Sequence, residues 1–355
     1  MSKMKAAVIY GEKDLRIEEV DIKETKPGQV KVKVAWAGIC GSDLHAYNHG
    51  LGIAYEEHPL SKDKVPFVLG HEFSGTVEEV GEGVEGFKVG DQVAIEPVLY
   101  CGECESCRRG TYNLCEVSNA GFYGLVTDGG FAEYFVADEK QFHKLPEGVS
   151  LEEGALVEPT AVAFRAVGVS GLKAGQSAAI YGAGPIGLLT LLCAQAYGAA
   201  ETFVIDLSQE RLDKAKELGA TYVINPADED AVEKISEITG NKGVDVAFEA
   251  AGANPTFKSA VASIKRSGTV QVIAGFGGEV SFNPNELLAI EGKIKFSLAY
   301  AHDYQPVIKA IADGKLDVKQ VVTNRIGLDD VVKDGIELLN TDKSQAKVLI
   351  SPSGL

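Results

Sequence analysis

Four of the chain's six cysteines lie within one fifteen-residue segment and could together hold a metal ion. Zinc takes four ligands in a tetrahedron. Two successive spacings of two residues, with a fourth cysteine after seven more, can wrap a loop around it. Because cysteine fills all four positions, the predicted site is structural and leaves no position open for substrate. Two disulfides are the alternative interpretation. The predicted ligands are Cys101, Cys104, Cys107 and Cys115.

A second set of metal-binding residue types is spread along the first half of the chain. Cys40 lies in a turn dense in polar groups, His71 follows Gly70, and Glu158 precedes a proline. A catalytic zinc takes about three protein ligands and keeps one position for water or substrate. Cys40, His71 and Glu158 could supply such a set, with Glu72 as an alternate ligand or a carboxylate behind the ligands. Taken singly, each also has a structural interpretation, as a core thiol, a satisfied histidine or a helix-start carboxylate.

A glycine-rich turn in the second half predicts a dinucleotide site. It follows a short apolar strand and opens an apolar helix, the context in which such a turn binds a pyrophosphate. One glycine allows the tight turn, one lets the backbone approach the ligand, and one packs helix on strand, while the helix N-terminus favours negative charge. A turn without a ligand is the alternative. The predicted cofactor-binding residues of the turn are Gly182, Gly184, Pro185, Ile186 and Gly187.

An aspartate further along the chain predicts which dinucleotide binds. Asp206 closes the next strand, nineteen residues beyond Gly187. A carboxylate there can accept hydrogen bonds from both ribose hydroxyls and would repel a 2′-phosphate, so we predict NAD rather than NADP. Arg211 could stack near the adenine, or be an ordinary arginine on a helix surface.

The predicted secondary structure that would position these residues differs between the two halves of the chain. The first half shows short alternating strands, such as Val30 to Val34, whereas strands and helices alternate from Ser177 on, as in a parallel βαβ sheet. A helix around Leu151 to Val169 is expected to cross between the two parts. The predicted fold class is α/β, with an irregular β-rich catalytic domain over residues 1–155 and 299–355 and a doubly wound parallel-sheet NAD-binding domain over residues 156–298.

Composition narrows the range of partners. The 355 residues carry a net charge of −17, which repels phosphate backbones and argues against nucleic acid. No apolar run reaches the ~18 residues of a membrane span. The first residues lack a hydrophobic signal core, so we expect a cytoplasmic protein with reduced thiols and no membrane partner.

Together these motifs resemble the zinc-dependent medium-chain dehydrogenases. The resemblance rests on Gly70-His-Glu-Phe-Ser-Gly-Thr-Val-Glu-Glu-Val-Gly81, on Gly90-Asp-Gln-Val, on Phe248-Glu-Ala-Ala-Gly252, on the cysteine segment and on the glycine turn. It implies a GroES-like catalytic domain, a Rossmann domain, NAD and two zinc ions per chain. It also implies that Cys40, His71 and Glu158 bind the catalytic zinc, with Glu72 close enough to exchange with water. Ser42 and His45 match positions that carry the proton of the alcohol to solvent.

Within that family the resemblance points to the (R,R)-butanediol dehydrogenases. It rests on a long insert, Tyr47 to Pro66, and on the segments Ala155 to Thr160 and Ser297 to Asp303. It implies a vicinal diol or hydroxyketone substrate, with (R,R)-2,3-butanediol and acetoin interconverted by hydride transfer, and a homodimer or homotetramer. A sorbitol, other polyol or L-threonine dehydrogenase of the same family is the enzyme alternative, and a non-catalytic NAD-binding zinc protein is the alternative of another class.

Overall fold

The computed structural model describes residues 2–354, without the side chain of Ile53, and forms two compact units. Unit 1 runs up to Glu158 and also takes in Tyr304–Gly314 and the chain from Val322 on. Unit 2 comprises Pro159–Asp303 and Lys315–Val321. Over the described residues, the helices are too short or too polar to cross a membrane.

Strands are numbered in chain order over the described residues. They are β1 (Lys3–Gly11), β2 (Asp14–Asp21), β3 (Gln29–Gly38), β4 (Phe67–Val68), β5 (Glu72–Val80), β6 (Gln92–Ile95), β7 (Tyr134–Asp138), β8 (Phe142–Lys144), β9 (Ser177–Tyr181), β10 (Glu201–Ile205), β11 (Tyr222–Ile224), β12 (Val244–Glu249), β13 (Ile264–Val272), β14 (Lys293–Phe296), β15 (Val322–Gly327) and β16 (Lys347–Ser351).

Helices are numbered in the same way. They are α1 (Gly41–His49), α2 (Glu105–Arg108), α3 (Leu151–Ala155), α4 (Val157–Ser170), α5 (Pro185–Ala196), α6 (Gln209–Glu217), α7 (Ala231–Ile238), α8 (Asn254–Ser263), α9 (Pro284–Leu288), α10 (Tyr304–Ala312) and α11 (Leu338–Thr341). The crossing helix predicted over residues 151–169 is divided at Leu156 into α3 and α4. Short 3₁₀ turns and a π-helical stretch over Val331–Glu337 complete the backbone.

Unit 1 is built on β-sheets, as its alternating sequence predicts. A three-stranded sheet has the order β2-β1-β4, and a larger sheet has the order β15-β16-β3-β5-β6-β8, with β7 also paired to β3. The alternating Val30, Val32 and Val34 are 0% exposed in the core. The last strand, β16, pairs antiparallel with β3 through Leu349 opposite Gly38, so the end of the described chain belongs to the sheet of unit 1.

Unit 2 is a parallel sheet with connecting helices. Its strand order is β11-β10-β9-β12-β13-β14, and every neighbouring pair is parallel. The order reverses at β9, and the carboxyl ends of the strands on either side of such a reversal form the usual ligand crevice of this fold. β9 is followed directly by the glycine turn and α5.

Candidate functional site

The first group of site residues lies at the ends of β3 and β5 in unit 1. Cys40 follows β3 and caps the N-terminus of α1, where the Asp43 carboxylate accepts a hydrogen bond from the Cys40 amide at 2.9 Å. His71 immediately precedes β5, whose first residue is Glu72. These two strands are paired through Gly38 and Glu72. As a result, one candidate ligand atom each from Cys40, His71 and Glu72 lie within 4.8 Å of one another.

The glycine before His71 fixes how its backbone enters the site. Gly70 has a φ of +94°, and a Cβ at that position would lie 2.2 Å from a ring carbon of Phe131. Any other residue would therefore be strained and would displace the phenyl ring. The chain turns sharply here, which directs the His71 side chain into the buried group.

His71 lies between two polar side chains. Its Nδ1 is 3.4 Å from Oδ1 of Asp43, and its Nε2 is 3.3 Å from Oγ of Ser42. Burial opposes a charge on the ring, but the negative charges of Asp43 and Cys40 outweigh it and raise the pKa of His71 well above its usual value. A carboxylate behind Nδ1 is the arrangement that orients a metal-binding histidine so that Nε2 faces the ion.

Glu72 is held by a lysine from the far end of the chain. The Lys347 ammonium donates to both Glu72 carboxylate oxygens at 2.7 and 2.6 Å, and also to the Ile39 carbonyl at 3.0 Å. The two charged side chains are 2% and 0% exposed. Burial alone would lower the pKa of Lys347. The negative charges of Glu72, Cys40 and Glu158 raise it by more than burial lowers it, so the net shift of the pKa is upward and the lysine stays protonated.

Glu158 lies near this group without being one of its three converging ligands. It lies in the first turn of α4 and is 4% exposed, but it is not among the three residues whose candidate ligand atoms converge. Its negative charge still reaches Lys347. The structure therefore brings Glu72, which the sequence analysis gave as the alternate ligand, together with Cys40 and His71.

The donor set of this group suits a zinc ion. A thiol, an imidazole and a carboxylate are all zinc ligands, and three protein ligands leave a position for a reacting molecule. The cluster holds the acidic groups Cys40, Asp43, Glu72 and Glu158 against the single lysine Lys347, so a dication would balance the excess negative charge. Among the described residues, Nδ1 of His71 and Oδ1 of Asp43 are buried atoms without a hydrogen-bond partner. A metal on Nε2 would leave Nδ1 protonated, facing Asp43.

The second group is the cysteine segment, also in unit 1. The four sulfur atoms converge, with separations of 3.9 Å for Cys101 and Cys107, 4.0 Å for Cys104 and Cys115, and 3.6 Å for Cys101 and Cys115. Ligands at the usual Zn–S distance of ~2.3 Å in a tetrahedron are about 3.8 Å apart. All four thiols are unpaired rather than joined in disulfides. The geometry is that of a four-thiolate zinc site.

Hydrogen bonds from backbone amides and burial give the thiols of this segment different pKa values. Amide hydrogen bonds from Cys104 and Glu103 lower the pKa of Cys101 to about 6, and an amide bond from Cys107 lowers the pKa of Cys104. Burial raises the pKa of Cys107 to about 12. The loop is thus folded around its sulfurs so that part of the thiolate charge is stabilised in advance.

The third group is the glycine turn of unit 2. Gly182 has a φ of +103°, and a Cβ at Gly187 would lie 1.8 Å from the Gly182 carbonyl oxygen. Gly184 caps α5 with Pro185 at its first position, and a Cβ at Gly184 would have no neighbour within 4 Å. The turn is therefore closed where it packs on the helix and open where Gly184 would meet a ligand, as a pyrophosphate site requires.

Asp206 is tied to the same turn. One carboxylate oxygen accepts the Ala183 amide at 2.7 Å, and the other accepts the Ser208 amide at 2.9 Å. Asp206 directly follows β10, which pairs with β9, so the aspartate and the glycine turn lie at the same edge of the sheet. Arg211 lies in the first turn of α6, where its amide donates to the Ser208 hydroxyl at 3.3 Å.

The two predicted relay residues lie on α1. Ser42 is half-buried beside His71, and His45 is exposed three residues further along the helix. The rings of His45 and His49 are 5.1 Å apart, which places both on one exposed face. Ser42 thus lies beside the candidate ligand His71, and His45 lies on the exposed side of the same helix.

Comparison with known proteins identifies the family of the chain. The model of the alcohol dehydrogenase GroES-like domain matches residues 26–147, and that of the zinc-binding dehydrogenases matches residues 185–313. The chain belongs to the zinc-dependent medium-chain alcohol dehydrogenase family, which makes it an oxidoreductase and implies zinc and NAD(P). This confirms both the resemblance and the predicted fold class.

Individual relatives narrow the comparison. The chain is 43% identical to (R,R)-butanediol dehydrogenase of Bacillus subtilis, over 99% of this chain and 100% of the relative. It is 37% identical to sorbitol dehydrogenase of the same organism, over 99% of this chain and 98% of the relative. The crystal structure of 2R,3R-butanediol dehydrogenase from Bacillus subtilis superposes with a TM-score of 0.93 at 42% identity, covering 98% of this chain and 99% of that one.

Two site residues were missed by the sequence analysis. Asp43 lies in the polar turn that contains Cys40, and its position three residues after a helix-capping cysteine was a usable signal. Lys347 had no local signal, because it lies 275 positions from Glu72 and is followed by the apolar run Val348 to Ile350.

Proposed function

We propose that this protein interconverts (R,R)-2,3-butanediol, or a related vicinal diol, with acetoin by hydride transfer to or from NAD, using one catalytic and one structural zinc. The observation that carries the proposal is the convergence of Cys40, His71 and Glu72 in a chain 43% identical to a butanediol dehydrogenase. Cys40 and His71 would hold the catalytic ion, with Glu158 or Glu72 as the third ligand, and the four cysteines of the segment would hold the structural one.

The metal-binding residues prepare the site for an alcohol. Zinc, when bound, supplies a positive charge that lowers the pKa of an alcohol into the neutral range. Asp43 orients His71, and the buried ion pair with Lys347 holds the Glu72 carboxylate beside the other two candidate ligands. The second oxygen of a vicinal diol can approach the same polar region while the first carbinol reacts.

Ser42 and His45 would move the proton. The Ser42 hydroxyl, 3.3 Å from Nε2 of His71, is placed to accept a hydrogen bond from the reacting alcohol. His45, exposed on the same helix, would take the proton on through the cofactor ribose to solvent. In the reductive direction the same groups would deliver a proton to the carbonyl oxygen.

NAD is the proposed dinucleotide, bound by the glycine turn with Pro185 and Ile186 in its helix start. The Asp206 carboxylate beside Ala183 supports NAD, because a second negative group at the adenosine ribose would be repelled there. Arg211 would border the adenine. Residues up to about 155 and from about 299 on would form the catalytic domain, and residues 156–298 the NAD-binding domain.

We also infer a homodimer or homotetramer in the cytoplasm. Leu288 and Phe296 are 75% and 71% exposed, and Phe296 ends the edge strand β14, a surface suited to burial against a second copy. Four unpaired thiols arranged for zinc suit a reducing compartment.

A substrate panel tests this function. Initial rates of NADH formation should be compared for (R,R)-, meso- and (S,S)-2,3-butanediol, sorbitol and L-threonine on protein of known zinc content. We expect turnover of the diols that carry an R centre, and loss of that turnover after chelation. Preference for sorbitol, which the 37% identical relative acts on by name, or for L-threonine would reassign the substrate. Absence of turnover at two zincs per chain would instead favour a non-catalytic NAD-binding protein.

A further inference from the structure

Glu249 is a fully buried carboxylate in unit 2 that the proposed mechanism does not use. It ends β12 and is 0% exposed. Its side chain accepts hydrogen bonds from the amides of Ala251 at 3.1 Å and Gly252 at 3.0 and 3.2 Å, and from the Thr256 hydroxyl at 2.7 Å. Burial raises the pKa of Glu249, and hydrogen bonds from Thr256 and from the amides of residues 251–253 offset only part of that rise. Such a costly group calls for a specific role.

The loop that Glu249 holds packs directly against the glycine turn. Glu249 lies opposite Tyr181 in the pairing of β12 with β9, and the Ala250 amide donates to the Tyr181 carbonyl at 2.9 Å. A Cβ on Gly182 would lie 3.0 Å from Cβ of Ala251 and 3.1 Å from the Ala250 carbonyl carbon. The backbone of residues 250–252 is thus one wall of the turn.

The turns that follow β9 and β12 differ in whether a carboxylate of the protein accepts hydrogen bonds from their amides. β9 and β12 are adjacent parallel strands, and each leads through a turn into a helix that begins with proline at one of its first two positions. At α8, the amides that precede the helix are directed to Glu249. At α5, the Gly184 position faces open space. An internal carboxylate therefore occupies the turn before α8, whereas the turn before α5 is open to an external anion.

We propose that Glu249 is a positioning residue for dinucleotide binding. Its carboxylate fixes residues 250–252 as the wall that keeps Gly182 and Ala183 in the pyrophosphate-binding conformation, without touching the cofactor itself. The inference rests on the proposed binding of NAD at the glycine turn. It predicts that loss of the carboxylate weakens dinucleotide affinity while leaving the rate of saturated enzyme nearly unchanged.

The test is direct titration of NADH, followed by its fluorescence, on zinc-loaded wild type and Glu249→Gln. The glutamine has the same shape but must turn an NH₂ group towards amide donors or lose one of its acceptors. We expect the Kd for NADH and the KM for NAD to rise on the order of tenfold, with kcat at saturating NAD within about twofold of wild type. ADP-ribose, which lacks the nicotinamide, should weaken by the same factor.

Asp245→Asn is the matched control. Asp245 is the second residue of the same strand, and its side chain is 12% exposed. It pairs with Lys265 and accepts hydrogen bonds from the Ser177 amide and hydroxyl at 3.1 and 3.0 Å, but it lies near the end of β12 away from the turn. It should lower the melting temperature without changing the Kd for NADH. An equal rise in Kd for both variants would overturn the proposal, because the effect would then be general destabilisation.

Other outcomes are equally decisive. An unchanged Kd in Glu249→Gln would overturn the proposal. If that variant fails to fold, Thr256→Val removes one donor to the carboxylate, and its Kd should rise a few-fold; an unchanged Kd there would count against the role of Glu249. Failure of the wild type to bind NADH would instead refute the proposed function, which separates the two hypotheses.

Discussion

Lys347 and Glu72 form an ion pair inside unit 1, and its energetics give a prediction at the scale of single residues. With the side chains 2% and 0% exposed, removing one partner leaves the other charge buried. Lys347→Met should therefore lower the free energy of unfolding by about 3–5 kcal/mol, measured by urea denaturation of zinc-loaded protein.

Two controls separate this effect from the loss of any lysine. Lys3→Met removes a partner of Asp21 from a pair that is about half exposed, and should cost less than about 1 kcal/mol. The double variant Glu72→Gln with Lys347→Met removes both charges and should regain part of the lost stability. Equal stability of the Lys347→Met and Lys3→Met proteins would contradict this prediction, because it would mean that leaving Glu72 buried without its partner does not lower the free energy of unfolding.

His45 lies exposed on α1, where the proposed proton path reaches solvent. If it carries the proton from Ser42 to solvent, His45→Gln should lower kcat on the order of 10²-fold, and added imidazole should restore part of the rate. His49→Gln is the matched variant, since His49 is the exposed histidine one turn further along α1. It should keep the wild-type rate. An unaltered rate and pH profile in His45→Gln would remove His45 from the mechanism.

At the scale of elements, the cysteine loop should show its uneven acidities once zinc is removed. Alkylation of Cys101 in metal-free protein, followed by peptide mass spectrometry, should have a midpoint near pH 6, since amide hydrogen bonds lower the pKa of Cys101 to about 6. Cys107, whose pKa burial raises to about 12, should stay unreactive in the neutral range. A shared midpoint near the ordinary thiol pKa of about 8.5 for both residues would contradict a preformed loop.

The lowered pKa of Cys101 makes the stability of the folded loop depend on pH. The folded-state pKa of Cys101 lies below its unfolded value, so its thiolate favours the folded loop at high pH. That contribution is complete above about pH 8.5 to 9 and is lost as the pH falls through about 6. As the pH falls, the metal-free cysteine loop should therefore unfold before unit 2, because Cys101 lies in unit 1 and does not contribute to the stability of unit 2.

Helices and strands could be predicted where the local sequence pattern is strong, and were missed where that pattern is weak. The alternation around Val32 and the apolar strand before Gly182 were sufficient to predict β3 and β9. In the second half the alternation of strands and helices predicts the parallel sheet but not the bounds of its elements. β13 runs from Ile264 to Val272, and the polar residues and glycine of its first half hide it from such a pattern. The break between α3 and α4 at Leu156 has no proline or glycine at that position to mark it.

The site divides in the same way. Residue type and spacing were enough to select Cys40, His71 and the four clustered cysteines, because metal ligands must be of few kinds. Which carboxylate joins them depends on three-dimensional placement: the pairing of Gly38 with Glu72 brings Glu72 beside Cys40. Lys347 reaches the group only because β16 returns to pair with β3, which no local pattern expresses.

At the scale of the whole molecule, the two proposed zinc ions should separate by function. The cysteine loop offers four thiolates and a closed shell, whereas the Cys40 group offers mixed ligands and an open position, so the open site should be the weaker one. On equilibrium dialysis against increasing chelator, NAD-dependent turnover should disappear with the first zinc per chain while the melting temperature changes little. Loss of the second zinc should then lower the melting temperature.

Cys104→Ser sharpens that expectation, because it removes a ligand from the closed site alone. It should reduce zinc content by about one ion per chain and lower the melting temperature, yet keep turnover per remaining catalytic zinc while the protein is folded. Cys40→Ser should do the opposite, abolishing turnover with a smaller change in melting temperature. If activity and melting temperature fell together in both variants, the division of labour between the two metal sites would be wrong, since a single metal-dependent unit would then account for fold and chemistry alike.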